Sequence, residues 1–214
     1  MGVIKINDMN YSYDKRKFVI KNMCYDFEGG VVYAIVGKSG AGKTTLLSML
    51  SGLSKLTMGE ILYDGKSISG VNPYTYRSRY VGVIFQSYNL LPHLTAVENV
   101  ILSMDISGKK IKNKKERAQE LLSSVGLGAE LWDRRILKLS GGEQQRVAIA
   151  RTLAFDPDVI LADEPTGNLD GETQEAIMEI FLDLAKNQNK CVIIVTHSPD
   201  VAKMADVKYE LAKY

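Results

Sequence analysis

VVYAIVGKSGAGKTTLLSML, residues 31–50, is the stretch on which the fold turns. Its first six residues form an unbroken apolar run, the pattern of a strand covered on both faces. Its last eight predict a helix from about Lys43, with Leu46, Leu47 and Leu50 on the inner side. Between them, Gly37-Lys38-Ser39-Gly40-Ala41-Gly42-Lys43-Thr44 fills G-x-x-x-x-G-K-[ST] in full. The glycines let the backbone wrap close to an anion, so that successive N–H groups point inward as a nest. The helix that follows adds the positive end of its dipole. Lys43 is then placed to reach the β- and γ-phosphates of a nucleotide, and the Thr44 hydroxyl to complete a Mg²⁺ shell. Thr45, the next residue on the helix, joins the phosphate-binding candidates.

Outward from this unit the chain changes character twice. Upstream, Ile4 and Ile6 alternate with polar neighbours, and Val19, Lys21, Met23, Tyr25 and Phe27 continue a period of two until Glu28-Gly29-Gly30. Downstream, Gly59 to Tyr63 reads as a strand closed by the Asp64-Gly65 turn. From about Leu90 to Phe155 the pattern turns helical: Ala118, Leu121, Leu122 and Val125 fit i, i+3, i+4, i+7, and Gly126 is the stop. The last sixty residues alternate again. VILA (159–162) and VIIVT (192–196) are buried strands, and VKYELAKY (207–214) contains a final one. Ile177, Ile180, Phe181 and Leu184 mark an amphipathic helix, and Ser198-Pro199-Asp200 starts another. Strand–helix alternation at both ends, with helices between, implies an α/β protein: a parallel core carrying a helical insert.

The strand VILA runs into Asp163-Glu164. Asp163 is placed to hold Mg²⁺, and Glu164 to polarise an attacking water as general base. An acidic pair after a strand is often a solvated turn, and the phosphate loop upstream is what favours chemistry here.

Leu139-Ser140-Gly141-Gly142-Glu143-Gln144-Gln145-Arg146 discriminates among phosphate-loop families. LSGGE followed by QQR, just ahead of Asp163-Glu164, closely resembles the signature of ABC ATPases. Members more often carry Gln where Glu143 stands. Ser140-x-x-Glu143 is also a capping box, but two glycines directly after a cap weaken a helix start and fit a close phosphate. The resemblance covers nearly the whole chain. It implies a P-loop NTPase (RecA-like) core over 1–87 and 157–214, an antiparallel β subdomain, and a helical subdomain over about 88–156, all within one ABC ATPase domain, 1–214. It further implies ATP and Mg²⁺ as cofactors and an ATP-dependent head-to-tail homodimer, in which Ser140, Gly141 and Gly142 meet the γ-phosphate held by the opposite subunit. By the same resemblance Gln86, after VGVIF, is the glutamine that senses Mg²⁺ and the membrane partner. Asp170, in Asn168-Leu169-Asp170, belongs to the loop that communicates across the dimer, and His197 is the switch histidine on the γ-phosphate. Tyr13 resembles the aromatic that stacks on adenine, with Tyr11 close enough in sequence to take the place.

YVGVIFQSYNLLPHLTAVENV (80–100) and DEPTGNLD (163–170) look most like the MacB, LolD and bacitracin-exporter branch. That branch implies a separately encoded membrane permease handling antimicrobial peptides, macrolides or lipoproteins. An FtsE-like ATPase, driving a signalling or wall-remodelling partner without transport, shares the motifs and is the alternative. Tyr88, Leu90 and Leu91 are candidates for the permease contact or for local core packing. No apolar run approaches the ~18 residues of a membrane helix, so the expected location is cytoplasmic, peripheral on the inner face of the membrane through the permease. The net charge of +2 over 214 residues lacks the basic bias of a nucleic-acid binder. Asn113-Lys114-Lys115-Glu116 and the lysines from Lys109 to Lys115 read as a solvated helix start. Cys24 and Cys191 form no ligand cluster and are expected to be reduced and mostly buried.

Overall fold

Strands of two kinds build the framework, and a computed structural model describes them over residues 4–12 and 18–213. The parallel sheet has five strands, β3 (Val32–Val36), β6 (Val81–Ile84), β7 (Val159–Asp163), β8 (Cys191–Val195) and β9 (Val207–Glu210), in the order β6-β7-β8-β3-β9. The antiparallel sheet has four, β1 (Ile4–Ser12), β2 (Phe18–Phe27), β4 (Met58–Tyr63) and β5 (Lys66–Ser67), in the order β2-β1-β4-β5. Seven α-helices are described: α1 (Lys43–Leu50), α2 (Pro73–Arg79), α3 (Ala96–Ser107), α4 (Lys114–Ser124), α5 (Gly141–Leu153), α6 (Gly171–Gln188) and α7 (Pro199–Met204).

The apolar runs have their cause in the parallel sheet. Alternate residues of β3, β7 and β8 serve opposite sides, so each strand needs apolar side chains throughout. Val32, Ile160, Ala162, Val192 and Ile194 pack toward α5, α6 and the helices α3 and α4. Tyr33, Ile35, Val159, Leu161, Ile193 and Val195 pack toward α1 and the antiparallel sheet. Leu46, Leu47 and Leu50 are buried on α1 as the sequence implies, and Ala118, Leu121 and Leu122 on α4.

Two sequence expectations need correction, and one pair of alternatives is divided. The period of two does not run through β2 in one phase: Asn22 takes φ 49°, and the buried set becomes Ile20, Met23 and Phe27. A single left-handed residue consumes one position of the pleat and turns the rest of the strand over. Cys24 is exposed, where its Sγ accepts from the Asp8 N–H at 3.3 Å, whereas burial pushes the Cys191 thiol up to about 12. Leu90 packs against the helical core while Leu91 remains 47% exposed, which separates two residues the sequence left together.

Where α5 hands over to β7, Asp156 sits at φ 52° and its carboxylate accepts from Lys190 Nζ at 2.5 Å. The Lys190 side chain is only 9% exposed, so its ammonium depends on this partner. The hydrogen bond from Lys190 holds the Asp156 carboxyl below its ordinary range. A carboxyl depressed by folding adds stability above its unfolded pKa and loses it as the pH falls. Asp156→Asn is therefore expected to lower the melting temperature at pH 7, with the gap to the parent closing below about pH 4; a gap independent of pH in thermal unfolding would refute the ion pair.

Candidate nucleotide-binding site

The carboxyl ends of β3, β7 and β8 open into one cleft of about 670 Å³, the place where parallel α/β sheets hold ligands. The loop after β3 and the start of α1 contribute Ser39, Gly40, Gly42, Lys43, Thr44 and Thr45. Gln86, Asp163, Glu164 and His197 face them, and Val19 of β2 adds the apolar contact.

The loop is suited to an anion by its glycines and by the start of the helix that follows it. Gly42 is the N-cap of α1, at φ 91°, and offers no side chain to the first turn, which also contains no acid. Among the described α-helices every other N-terminus has a capping side chain or an acid in its first turn. A helix start with neither is the kind that takes an anion. Close packing fixes the loop from outside: a Cβ on Gly42 would stand 2.7 Å from Val19 Cγ1, and one on Gly37 2.9 Å from the Leu211 carbonyl oxygen. Lys43 Nζ donates to the Gly37 carbonyl at 2.8 Å, which lays its ammonium across the mouth of the nest.

Asp163 is half-buried at the end of β7. Burial raises its carboxyl pKa, a hydrogen bond from Thr44 opposes that, the Glu164 charge adds to it, and Lys43 offsets it further. Thr44 hydroxyl, Asp163 carboxylate and the Gln86 amide are hard oxygen donors, the set Mg²⁺ takes beside phosphate oxygens. Glu164 follows at φ 47°, a left-handed conformation costing about 1–3 kcal/mol in a residue with a side chain. Its N–H donates to the Val195 carbonyl at 2.9 Å, which locks the turn to β8. One carboxylate oxygen lies 2.7 Å from His197 Nδ1 and the other accepts from the His197 N–H at 3.2 Å. Base candidate and switch candidate are thus one hydrogen-bonded unit, with Glu164 12% and His197 68% exposed.

Other candidates stand elsewhere. Lys38 is exposed and Ala41 buried, and neither lines the cleft. Ser140, Gly141 and Gly142 start α5 away from this cleft, with the capping box formed by Ser140 and Glu143. A Cβ on Gly142 would come within 2.6 Å of Thr173 Cγ2, a packing reason for glycine there. Asp170 caps α6, accepting from the Thr173 N–H at 2.9 Å and its hydroxyl at 3.0 Å. Tyr13 lies outside the described residues. The sequence reading placed Val19 only in a strand pattern, because its approach to the loop depends on how the two sheets meet.

The raised Asp163 pKa fixes the sign of a further expectation. A carboxyl raised by folding is tolerated best when protonated, so its ionised form costs stability at neutral pH and less as the pH falls. Asp163→Asn is expected to melt higher than the parent at pH 7, with the advantage shrinking toward the carboxylate range, while Mg²⁺-dependent turnover is lost. An Asn variant less stable than the parent at pH 7 would count against this balance.

Comparison with known proteins agrees with the motifs. The family model described as ABC transporter matches residues 20–167. The uncharacterized ABC transporter ATP-binding protein YclH of Bacillus subtilis is 44% identical over 214 residues, all of this chain and 95% of YclH. The lipoprotein-releasing system ATP-binding protein LolD of Cytophaga hutchinsonii is 41% identical over 96% of this chain and 94% of its own length. Among solved structures, the dimeric post-hydrolysis ATP-binding cassette MJ0796, bound to ADP and Pi, superposes with TM-score 0.86 at 34% identity, over 97% of this chain and 94% of that one. This chain therefore belongs to the ABC transporter family, as an ATP-binding, ATP-hydrolysing cassette.

Proposed function

We propose that this cassette powers an exporter of the antimicrobial-peptide, macrolide or lipoprotein type through a separate permease. The observation that carries this is the likeness to LolD across nearly the full length of both chains, joined to the DEPTGNLD segment at 163–170. In this reading ATP lies on the loop 37–44 with Mg²⁺ at Thr44, Asp163 and Gln86. Lys43 meets the β- and γ-phosphates, Glu164 takes the proton of the attacking water, and His197 contacts the γ-phosphate. Ser140, Gly141, Gly142 and Asp170 stand outside the chain's own cleft, which supports their service to a second copy in a head-to-tail dimer. The dimeric state of MJ0796 supports the same arrangement.

No described helix is long and apolar enough to cross a membrane. Contact with the permease is assigned to a groove of about 320 Å³ along the outer edge of β6, bounded by Leu53, Phe85, Arg151 and Phe155. Leu53 and Leu91 present exposed apolar surface, of the kind that interfaces bury. Docking there would hold the cassette at the inner face of the membrane.

Glu164→Gln is expected to cut ATP turnover roughly 10²–10⁴-fold, keep ATP binding and trap an ATP-dependent dimer in size-exclusion chromatography. Normal hydrolysis by this variant would remove Glu164 from the role of base. For the transport assignment, the subunit is to be captured from gently solubilised native membranes and its partners identified. A permease with a large extracytoplasmic domain is expected; a partner from the division or wall machinery would replace export with mechanical signalling.

A further inference from the structure

The segment that delivers Gln86 to the cleft contains two consecutive left-handed residues, Tyr88 at φ 59° and Asn89 at φ 50°. Neither is glycine, and Tyr88 carries a large ring, so the conformation needs an external hold. Arg151, near the C-terminus of α5, supplies one. Its Nη2 donates to the Tyr88 carbonyl at 2.8 Å and its Nη1 to the Asn89 carbonyl at 2.5 Å. Successive residues in one helical conformation turn their carbonyls the same way, which suits the planar fork of a guanidinium and not the single ammonium of lysine. The Tyr88 N–H closes a turn onto the Phe85 carbonyl at 2.9 Å, so Gln86 lies inside the loop whose far side is held.

The same segment touches both ends of α5. The Tyr88 hydroxyl oxygen lies 3.3 Å from where a Cβ on Gly141 would stand, at the N-terminus of the helix. Gln86 Nε2 lies 3.6 Å from the corresponding point on Gly167, three residues beyond Glu164. Arg151 also borders the groove along β6. One guanidinium thus borders that groove and holds the segment that follows Gln86.

We infer that Arg151 is a positioning residue for nucleotide turnover: its two hydrogen bonds hold residues 88–89 left-handed, which keeps Gln86 in the cleft and the Tyr88 phenol against the start of α5. This rests on the reading of Gln86 as a group of the nucleotide site. Arg151 touches no reacting atom, so its loss acts on the geometry around Mg²⁺ and spares the affinity of the loop 37–44 for phosphate.

The test uses steady-state ATPase assays of the full chain at varied Mg²⁺, with nucleotide affinity measured separately in the absence of Mg²⁺. Arg151→Met is expected to lower kcat about tenfold, the scale of a small misplacement of a participating group. It should also raise the Mg²⁺ concentration for half-maximal rate and leave Mg²⁺-free affinity within about twofold. Adding Asn89→Gly to Arg151→Met should recover part of the lost turnover, because glycine takes φ near 50° without help and only Tyr88 is then left to be held. Arg151→Lys should remain impaired. Unchanged kcat and Mg²⁺ requirement in Arg151→Met would overturn the inference. So would a loss of turnover that comes with lost Mg²⁺-free affinity and is not relieved by Asn89→Gly, since that is the mark of a merely structural arginine. Gln86→Ala separates the two levels: if it leaves the Mg²⁺ requirement unmoved, the role of Gln86 fails, and if it shifts the requirement while Arg151→Met does not, only the role of Arg151 fails.

Discussion

The hydrogen-bond register across β3, β8 and β7 decides where the phosphate loop, Asp163, Glu164 and His197 stand. Ile35 pairs with Val195, and Val195 with Asp163, so three strands end level with one another. The chain leaves each of them at that line: into the loop 37–44 from β3, into Glu164 from β7, and into Thr196 and His197 from β8. Two hydrogen bonds carry the alignment past the strands, Glu164 N–H to the Val195 carbonyl at 2.9 Å and Thr196 N–H to the Ile35 carbonyl at 3.1 Å. A slip of one residue in β7 would turn Asp163 to the other side of the sheet. The hydrogen bond from Glu164 to Val195 opposes it, as does the close packing of Val159, Ile160, Leu161 and Ala162, all fully buried.

That rigid base tolerates local cost at its edge. Glu164 is held left-handed, Asp163 is ionisable and half-buried, and α1 starts without a cap. Each would weaken an ordinary surface. Together they leave oxygen donors, N–H donors and a lysine converging on one volume, which is what phosphate and a hard cation require. Neighbouring elements hold the loop in place: Leu211 and Val19 press on Gly37 and Gly42, and Lys213 Nζ donates to the Ser39 carbonyl at 3.2 Å.

Legibility in the sequence followed the range of the forces involved. β3, β7 and β8 were readable because a strand buried on both faces leaves no polar position to confuse the pattern. The loop 37–44 and the capping box at Ser140 were readable because their geometry is local. Helix α2 went unread although Asn72 caps it and Pro73 opens it; seven residues give too few turns for a periodicity. The phase of β2 was misread at Asn22, where a single backbone angle decides and the side-chain pattern barely changes. Val19 and Arg151 reach their places through contacts across 23 and 62 positions of chain, to Gly42 and to Asn89, and nothing near them in sequence marks that.

The groups outside the cleft are organised as tightly as those inside it. Ser140 and Glu143 exchange hydrogen bonds at the start of α5, and at the start of α6 Asp170 accepts from both the N–H and the hydroxyl of Thr173. Thr173 also fills the space that a side chain on Gly142 would need, so the starts of both helices meet at one residue. The hydrogen bonds from Thr173 hold the Asp170 carboxyl below its usual range. Such mutual contact gives α5 and the 168–170 turn a common rigid surface before any second copy arrives. Two segments already ordered against each other lose less freedom on any association than two that would have to be ordered on contact.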